Sequence, residues 1–210
     1  ALKKLFCNEN QLNSLDLQKN VALELLFCSK NHLSSLDLSE NTALTGIYCS
    51  NNQLRSLNVS KSAAIEELSC FENQLTTLDI SNYTALTYLS CGNNPLMTLD
   101  VSKNTLLKNL SCDNCQLTHL DLSSNTALYD LDCEYNKLAS LDVSNCVPLW
   151  RLQCHENKLT ALDVSKNRQL GDLSCSKNNL STLIVSGSSN LSVLDCNSNQ
   201  LTDLNVSTNN

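Results

Sequence analysis

Cysteine recurs every 21 residues along this chain, ten times without interruption: Cys7, Cys28, Cys49, Cys70, Cys91, Cys112, Cys133, Cys154, Cys175 and Cys196. A fixed period of this order marks a solenoid, in which each repeat is one supersecondary unit that buries its apolar face against its neighbours. Repeats starting at residues 1, 22, 43, 64, 85, 106, 127, 148, 169 and 190 account for all 210 residues. Each position then has a column number from 1 to 21, and the columns divide into those that barely change and those that vary.

Columns 2, 5, 7, 12, 15 and 17 hold only Leu, Ile, Val or Cys in all ten repeats, as in Leu2, Leu5, Cys7, Leu12, Leu15 and Leu17. Such uniformity assigns them to the core. Columns 4 to 8 alternate, as in Leu131-Asp132-Cys133, which is the pattern of a strand with one buried face. Ten such strands stacked in parallel give a sheet roughly 45 Å long at ~4.8 Å per strand. About sixteen residues per turn are left for the return crossover, which is right-handed by the general rule for parallel strands. The return segment, Leu12-x-x-Leu15-Asp16-Leu17 in the first repeat, is too short for a full helix. The expectation is one curved domain over residues 1–210, with a long parallel sheet on the concave face and extended segments, with little or no helix, on the back.

Two polar columns accompany this core. Column 10 is Asn in nine repeats (Cys115 is the exception), and an amide can both donate to and accept from backbone in its own and the next turn. An asparagine ladder with one defective rung is expected. Column 16 is Asp in seven repeats, replaced by Asn58, Ile184 and Asn205. Stacked carboxylates repel, so each needs a local partner, and the backbone and Ser two residues on provide one as an Asx-turn. A calcium ladder is the weighed alternative, but calcium-binding β-helix repeats are Gly-rich and this chain has four glycines. No metal or other cofactor is expected.

The twelve cysteines do not read as a disulfide framework. Equivalent residues on adjacent parallel strands lie ~4.8 Å apart and point the same way, whereas a disulfide wants Cβ atoms ~3.8 Å apart. A ladder of free, buried thiols packed as small apolar groups is expected. The net charge of −7 argues against nucleic acid and against an electrostatically held membrane-surface protein, and no apolar run is long enough to insert in a membrane. The array starts and stops in phase, with no caps or leader visible. It reads as a segment of a longer protein whose open ends invite end-to-end self-association.

The run Leu23-Glu24-Leu25-Leu26-Phe27-Cys28-Ser29-Lys30-Asn31-His32-Leu33 resembles the conserved half of leucine-rich repeats. Ser35-Leu36-Asp37-Leu38-Ser39-Glu40-Asn41 resembles the variable half of the 21-residue bacterial subclass. Cysteine in place of the strand leucine is similar to the cysteine ladder of internalin-type surface proteins. The resemblance implies an extracellular or bacterial cell-surface setting and an adhesin-like role toward a protein or carbohydrate ligand, including one presented by a host.

Solenoids bind through strand-face positions, here columns 4, 6 and 8 flanked by 3 and 9. Eight of the nine aromatic residues fall in columns 3 to 9 and none occupies a core column, so they are not there for packing. Phe6, Phe27 and Tyr48 share column 6 in adjacent repeats, and Phe71 and Tyr88 extend this N-terminal stripe. Cross-strand pairing or cover by a neighbouring domain explains it as readily as a ligand does. A second cluster lies in repeats six to eight: Tyr129, Asp130, Asp132, Glu134, Tyr135, Trp150, Arg151 and His155. Acidic and aromatic groups on one wall suit a carbohydrate or a basic protein segment, and a solvated charged face is the bland alternative. A divalent ion on Asp113, Glu134 and His155 is disfavoured by their rigid spacing.

Catalytic motifs are missing: there is no G-x-S-x-G, no H-E-x-x-H and no phosphate-cradling glycine loop. His32, His119 and His155 are scattered, and Cys115 with His119 is a faint Cys–His pair only. The reading is a non-catalytic binding module, with a structural spacer projecting other domains as the alternative.

Overall fold

The computed structural model describes residues 1–59 and 64–209; the end of the third repeat and the final residue lie outside the described residues. Ten three-residue strands, Lys4–Phe6, Leu25–Phe27, Gly46–Tyr48, Glu67–Ser69, Tyr88–Ser90, Asn109–Ser111, Asp130–Asp132, Arg151–Gln153, Asp172–Ser174 and Val193–Asp195, form one parallel sheet in chain order. Register is kept at 21 residues throughout: Leu5 pairs with Leu26, Leu26 with Ile47, and so on along the face. The back carries two small parallel pairs, Leu36–Leu38 with Leu57–Val59 and Ala161–Asp163 with Thr182–Ile184. No helix occurs among the described residues, so the chain is a leucine-rich repeat solenoid with extended segments and turns behind the sheet.

The strand covers columns 4 to 6, shorter than alternation over columns 4 to 8 suggests; bonds between repeats run on, from the Cys7 N–H to the Phe27 carbonyl (2.8 Å) and from the Glu9 N–H to the Ser29 carbonyl (3.0 Å), until the chain turns at column 9. All ten column-9 residues have positive φ, from 48° at Asn114 to 56° at Glu9, and none is Gly. The left-handed region costs a non-glycine residue about 1 kcal/mol or more, and the next residue holds it there. In repeat eight, the Asn157 amide donates to the Cys133 carbonyl of the preceding repeat (3.0 Å) and to its own Cys154 carbonyl (3.2 Å), while its oxygen accepts from the Leu138 N–H (3.0 Å). Asn31, Asn52, Asn73, Asn94, Asn178 and Asn199 repeat this pattern.

Cys115 breaks one rung. Its thiol donates to the Cys91 carbonyl at 3.3 Å, and the Leu96 N–H, which an asparagine oxygen would receive, bonds the Asn94 carbonyl instead (2.8 Å). Pro95 beside it has no N–H, and Met97 and Gln116 take positive φ values of 61° and 63° found at no other repeat's equivalent described positions. The loop between repeats five and six is rebuilt around the missing amide.

A second asparagine ladder runs along column 20, to which sequence reading assigned no role. Asn104, Asn125 and Asn167 are fully buried, and each donates to two carbonyls of the preceding repeat; Asn125, for example, donates to those of Val101 (3.1 Å) and Asn104 (3.0 Å). Ser188 does the same work with one bond to the Val164 carbonyl, at 3.0 Å. Tyr83 occupies this column in repeat four and is buried as well, so one aromatic residue does pack in the interior. Column 16 forms Asx-turns: the Asp100, Asp121, Asp142 and Asp163 carboxylates accept from the N–H two residues on at 2.8–2.9 Å.

All twelve cysteines are free thiols. The ladder members from Cys28 to Cys175 are wholly buried, while Cys7 and Cys196 in the end repeats are half-buried. The expectation of ten equally hidden thiols therefore fails at the two ends, where a ladder member has a neighbour on one side only. Burial pushes the interior thiols up, to about 12 at Cys70 and Cys175.

Candidate binding face

Parallel pairing at a fixed register places column 4 residues in one row and column 6 residues in another. Asn109, Asp130, Arg151 and Asp172 are successive partners in the first row, and Ser111, Asp132, Gln153 and Ser174 in the second. Arg151 thus stands between two aspartates, 3.2 Å from Asp130 and 3.7 Å from Asp172. Asp132 stands between neutral groups in its row and, among the described residues, receives no ion pair and a single long hydrogen bond, from the Glu134 N–H (3.4 Å). Its carboxyl is pushed up to about 6, first by burial and then by the charges of Glu134 and Asp113, with Arg151 opposing.

Column 8 forms a third row. The Glu134 carboxylate meets His155 Nδ1 at 3.1 Å, and the Ser174 hydroxyl lies 3.3 Å from the same nitrogen. Asp113 accepts from the Ser111 hydroxyl (2.9 Å) and the Asn93 amide (2.8 Å). It has room because the residue before it in the column is Gly92, where a Cβ would stand 2.0 Å from its Oδ1. The left-handed backbone of Tyr135 carries its ring edge-on to His155, with centroids 5.1 Å apart.

At the opposite edge, Tyr129 and Trp150 of column 3 stack nearly parallel, 6.0 Å apart at 8°, and stay 47% and 43% exposed. Gly171 follows in that column; a Cβ there would lie 2.8 Å from the indole nitrogen. The bare backbone leaves the indole its place. Between the rows lie two openings. One of about 140 Å³ is lined by Tyr88, Asn109, Ser111, Asp130, Asp132 and Arg151, and one of about 310 Å³ by Asn93, Asp113, Asn114, Glu134 and Tyr135.

The N-terminal stripe is a stack of three rings. Phe6 and Phe27 lie 4.7 Å apart and Phe27 and Tyr48 4.3 Å, both nearly parallel, and the Tyr48 hydroxyl donates to Glu67. Phe71 stands apart from this stack in column 8, half-buried, and Tyr88 lines the smaller opening with Asp132 and Arg151. Asn93, Asn109, Ser111, Asn114, Asp172 and Ser174 complete the wall and were passed over from sequence. Their columns were the available signal; the Asn and Ser residues carry no chemical mark of their own on a solvated face, and Asp172 is tied to the cluster only by its pairing with Arg151 across the register. The faint Cys115–His119 pair comes apart: the thiol is buried against Cys91, while His119 lines a groove on the back beside Asp121 and Asp142.

No family model matches the chain, and no curated protein matches it. Among solved structures it is similar to the functional domain of InlJ from Listeria monocytogenes, which includes a cysteine ladder, at 40% identity and a TM-score of 0.96 over 99% of this chain and 46% of that one. The present chain thus spans less than half of that domain. It is also similar to the internalin InlF of Listeria monocytogenes str. 4b F2365 (23% identity, TM-score 0.74, 97% of this chain and 69% of that one). A third similar fold is the ectodomain of the Arabidopsis thaliana receptor kinase GASSHO1/SCHENGEN3, solved in complex with CASPARIAN STRIP INTEGRITY FACTOR 2 (23%, 0.76, 97% and 31%). With a strand cysteine at every 21st residue of one continuous parallel sheet, the chain belongs to the leucine-rich repeat proteins of the cysteine-ladder, internalin-like type.

Proposed function

We propose that this chain is a non-catalytic recognition module that binds a protein or carbohydrate ligand through its strand face at repeats six to eight, as part of a bacterial surface or secreted protein. One observation carries the reading: Trp150 and Tyr129 are stacked in the open at the border of a charged wall, on positions the core does not use. Trp and Tyr dominate binding energy where they are centred in an interface. The likeness to the InlJ functional domain supports the setting, and the plant receptor shows the same fold in complex with a named partner. No helix among the described residues is long and apolar enough to cross a membrane.

The test is a combined glycan and peptide array probed with the wild-type chain and with Trp150→Ala. The reading expects discrete hits that Trp150→Ala loses. An array with no hits favours a structural spacer, and hits indifferent to Trp150 move the site away from repeats six to eight, toward the N-terminal stripe.

A further inference from the structure

The strand face is divided in charge. In repeats one to five, columns 4, 6 and 8 carry Lys4 and Glu67 as their only charges, together with Phe6, Phe27, Tyr48, Phe71 and Tyr88. In repeats six to ten the same columns carry six carboxylates, Asp113, Asp130, Asp132, Glu134, Asp172 and Asp195, against Arg151 and His155. Asp130 and Asp172 share Arg151 and Glu134 meets His155. Asp113 is served by neutral donors, Ser111 and Asn93, while Asp132 has, among the described residues, no ion pair and only the long bond from the Glu134 N–H, the nearby Arg151 being engaged by Asp130 and Asp172. The half-buried Asp132 carboxylate lining the smaller opening is therefore compensated only in part, by an arginine already shared between two other aspartates, with Tyr88 lining the same opening.

Resting on the recognition reading above, we propose that the occupant of this face is a basic, extended segment of a partner protein, with one lysine or arginine side chain entering the opening floored by Asp132 and a neighbouring residue lying against Trp150. Charge complementarity selects this occupant over a neutral glycan. An ammonium or guanidinium provides the donors that Asp132 lacks, and Arg151 shows on the next strand how the wall holds a guanidinium between two carboxylates. The open indole and phenol rings add stacking and cation–π attraction. A long aliphatic stem suits an opening walled by an aromatic ring and floored by an acid.

The test is fluorescence anisotropy of labelled octalysine, octaarginine and octaglutamate with the full chain, as wild type, Asp132→Asn, Trp150→Ala and Glu40→Gln. Glu40 is exposed and lies outside the strand face, so Glu40→Gln removes the same charge without touching the wall. Binding of the basic peptides by wild type and Glu40→Gln, weakened about tenfold or more by Asp132→Asn and by raising salt from about 50 to about 300 mM, supports the proposal. Equal binding by Asp132→Asn and Glu40→Gln would reduce the effect to net charge and overturn it. No basic-peptide binding, with Trp150-dependent glycan hits on the array, overturns the proposal and leaves the recognition reading standing; no binding in either assay ends both.

Discussion

Asn157 and Lys158 are chain neighbours with opposite duties. The first ties two turns together through three backbone partners and is buried; the second is exposed. Asn157→Ala leaves those groups unmet in a closed turn and should cost about 2–3 kcal/mol, against less than about 0.5 for Lys158→Ala; equal thermal midpoints for the two would contradict the ladder. Column 10 was legible because a polar residue held in nine of ten repeats inside an apolar frame needs a reason. The column 20 ladder was less so, since Asn is there in only six repeats and shares the column with Ser, Tyr and Cys. Only the structure shows that Asn104, Asn125 and Asn167 are the more deeply buried set. Asp132 has a pH signature of the opposite sign to the turn aspartates. Its carboxyl ionises at about 6 in the fold and near 4 when unfolded, so its ionised form lowers stability above pH 6, and the penalty fades as pH falls from 6 toward 4. Asp132→Asn should therefore stabilise the protein at pH 7.5 by about 1 kcal/mol after screening and by little at pH 4, read by chemical denaturation. Asp37, Asp100, Asp121 and Asp142 are held below the usual range by bonds from the serine two residues on, so their contribution is present at neutral pH and lost in acid.

At the scale of the strand, the cysteine ladder is a packing device. A thiol fits where each turn crowds the next, and burial keeps it protonated and unreactive. Native labelling with a thiol reagent should mark Cys7 and Cys196 first, leave the other ten slow, and reach all twelve only on denaturation; rapid labelling of Cys112 or Cys133 would contradict the packing. The strands and their register were legible from period and alternation. Their length was not, because alternation runs over columns 4 to 8 while the strands end at column 6, and the left-handed turn at column 9 is a conformation that Glu, Lys and Tyr do not announce. The rebuilt loop at Pro95 and Cys115 was half legible: the missing amide was visible, the compensating turns at Met97 and Gln116 were not. The charged rows of the face were legible by column, while the pairing within them (Arg151 shared by two aspartates, Asp132 outside that pairing) required the register.

Over the whole molecule, each repeat is stabilised by its neighbours, so stability falls where a neighbour is missing. In this chain Leu2, Leu204 and Val206 of the end repeats are 44%, 37% and 47% exposed, while the same columns of the inner repeats are mostly buried. Hydrogen exchange should be fastest in repeats one and ten of the isolated monomer and slowest in the middle; uniform protection in a proven monomer would contradict nearest-neighbour stability. Protection of both ends that grows with concentration would instead mark end-to-end association. The same one-dimensional order lets the face change character along its length, aromatic at one end and acidic at the other, without disturbing the core. Trp150 is the sole tryptophan of the chain and stands in the acidic half, at the edge of the strand face, so its emission reports the site with no label. The account predicts that octalysine changes Trp150 emission saturably in wild type and Glu40→Gln and much less in Asp132→Asn, while octaglutamate changes none. Emission unmoved by octalysine in every variant, or moved equally in all three, would contradict it.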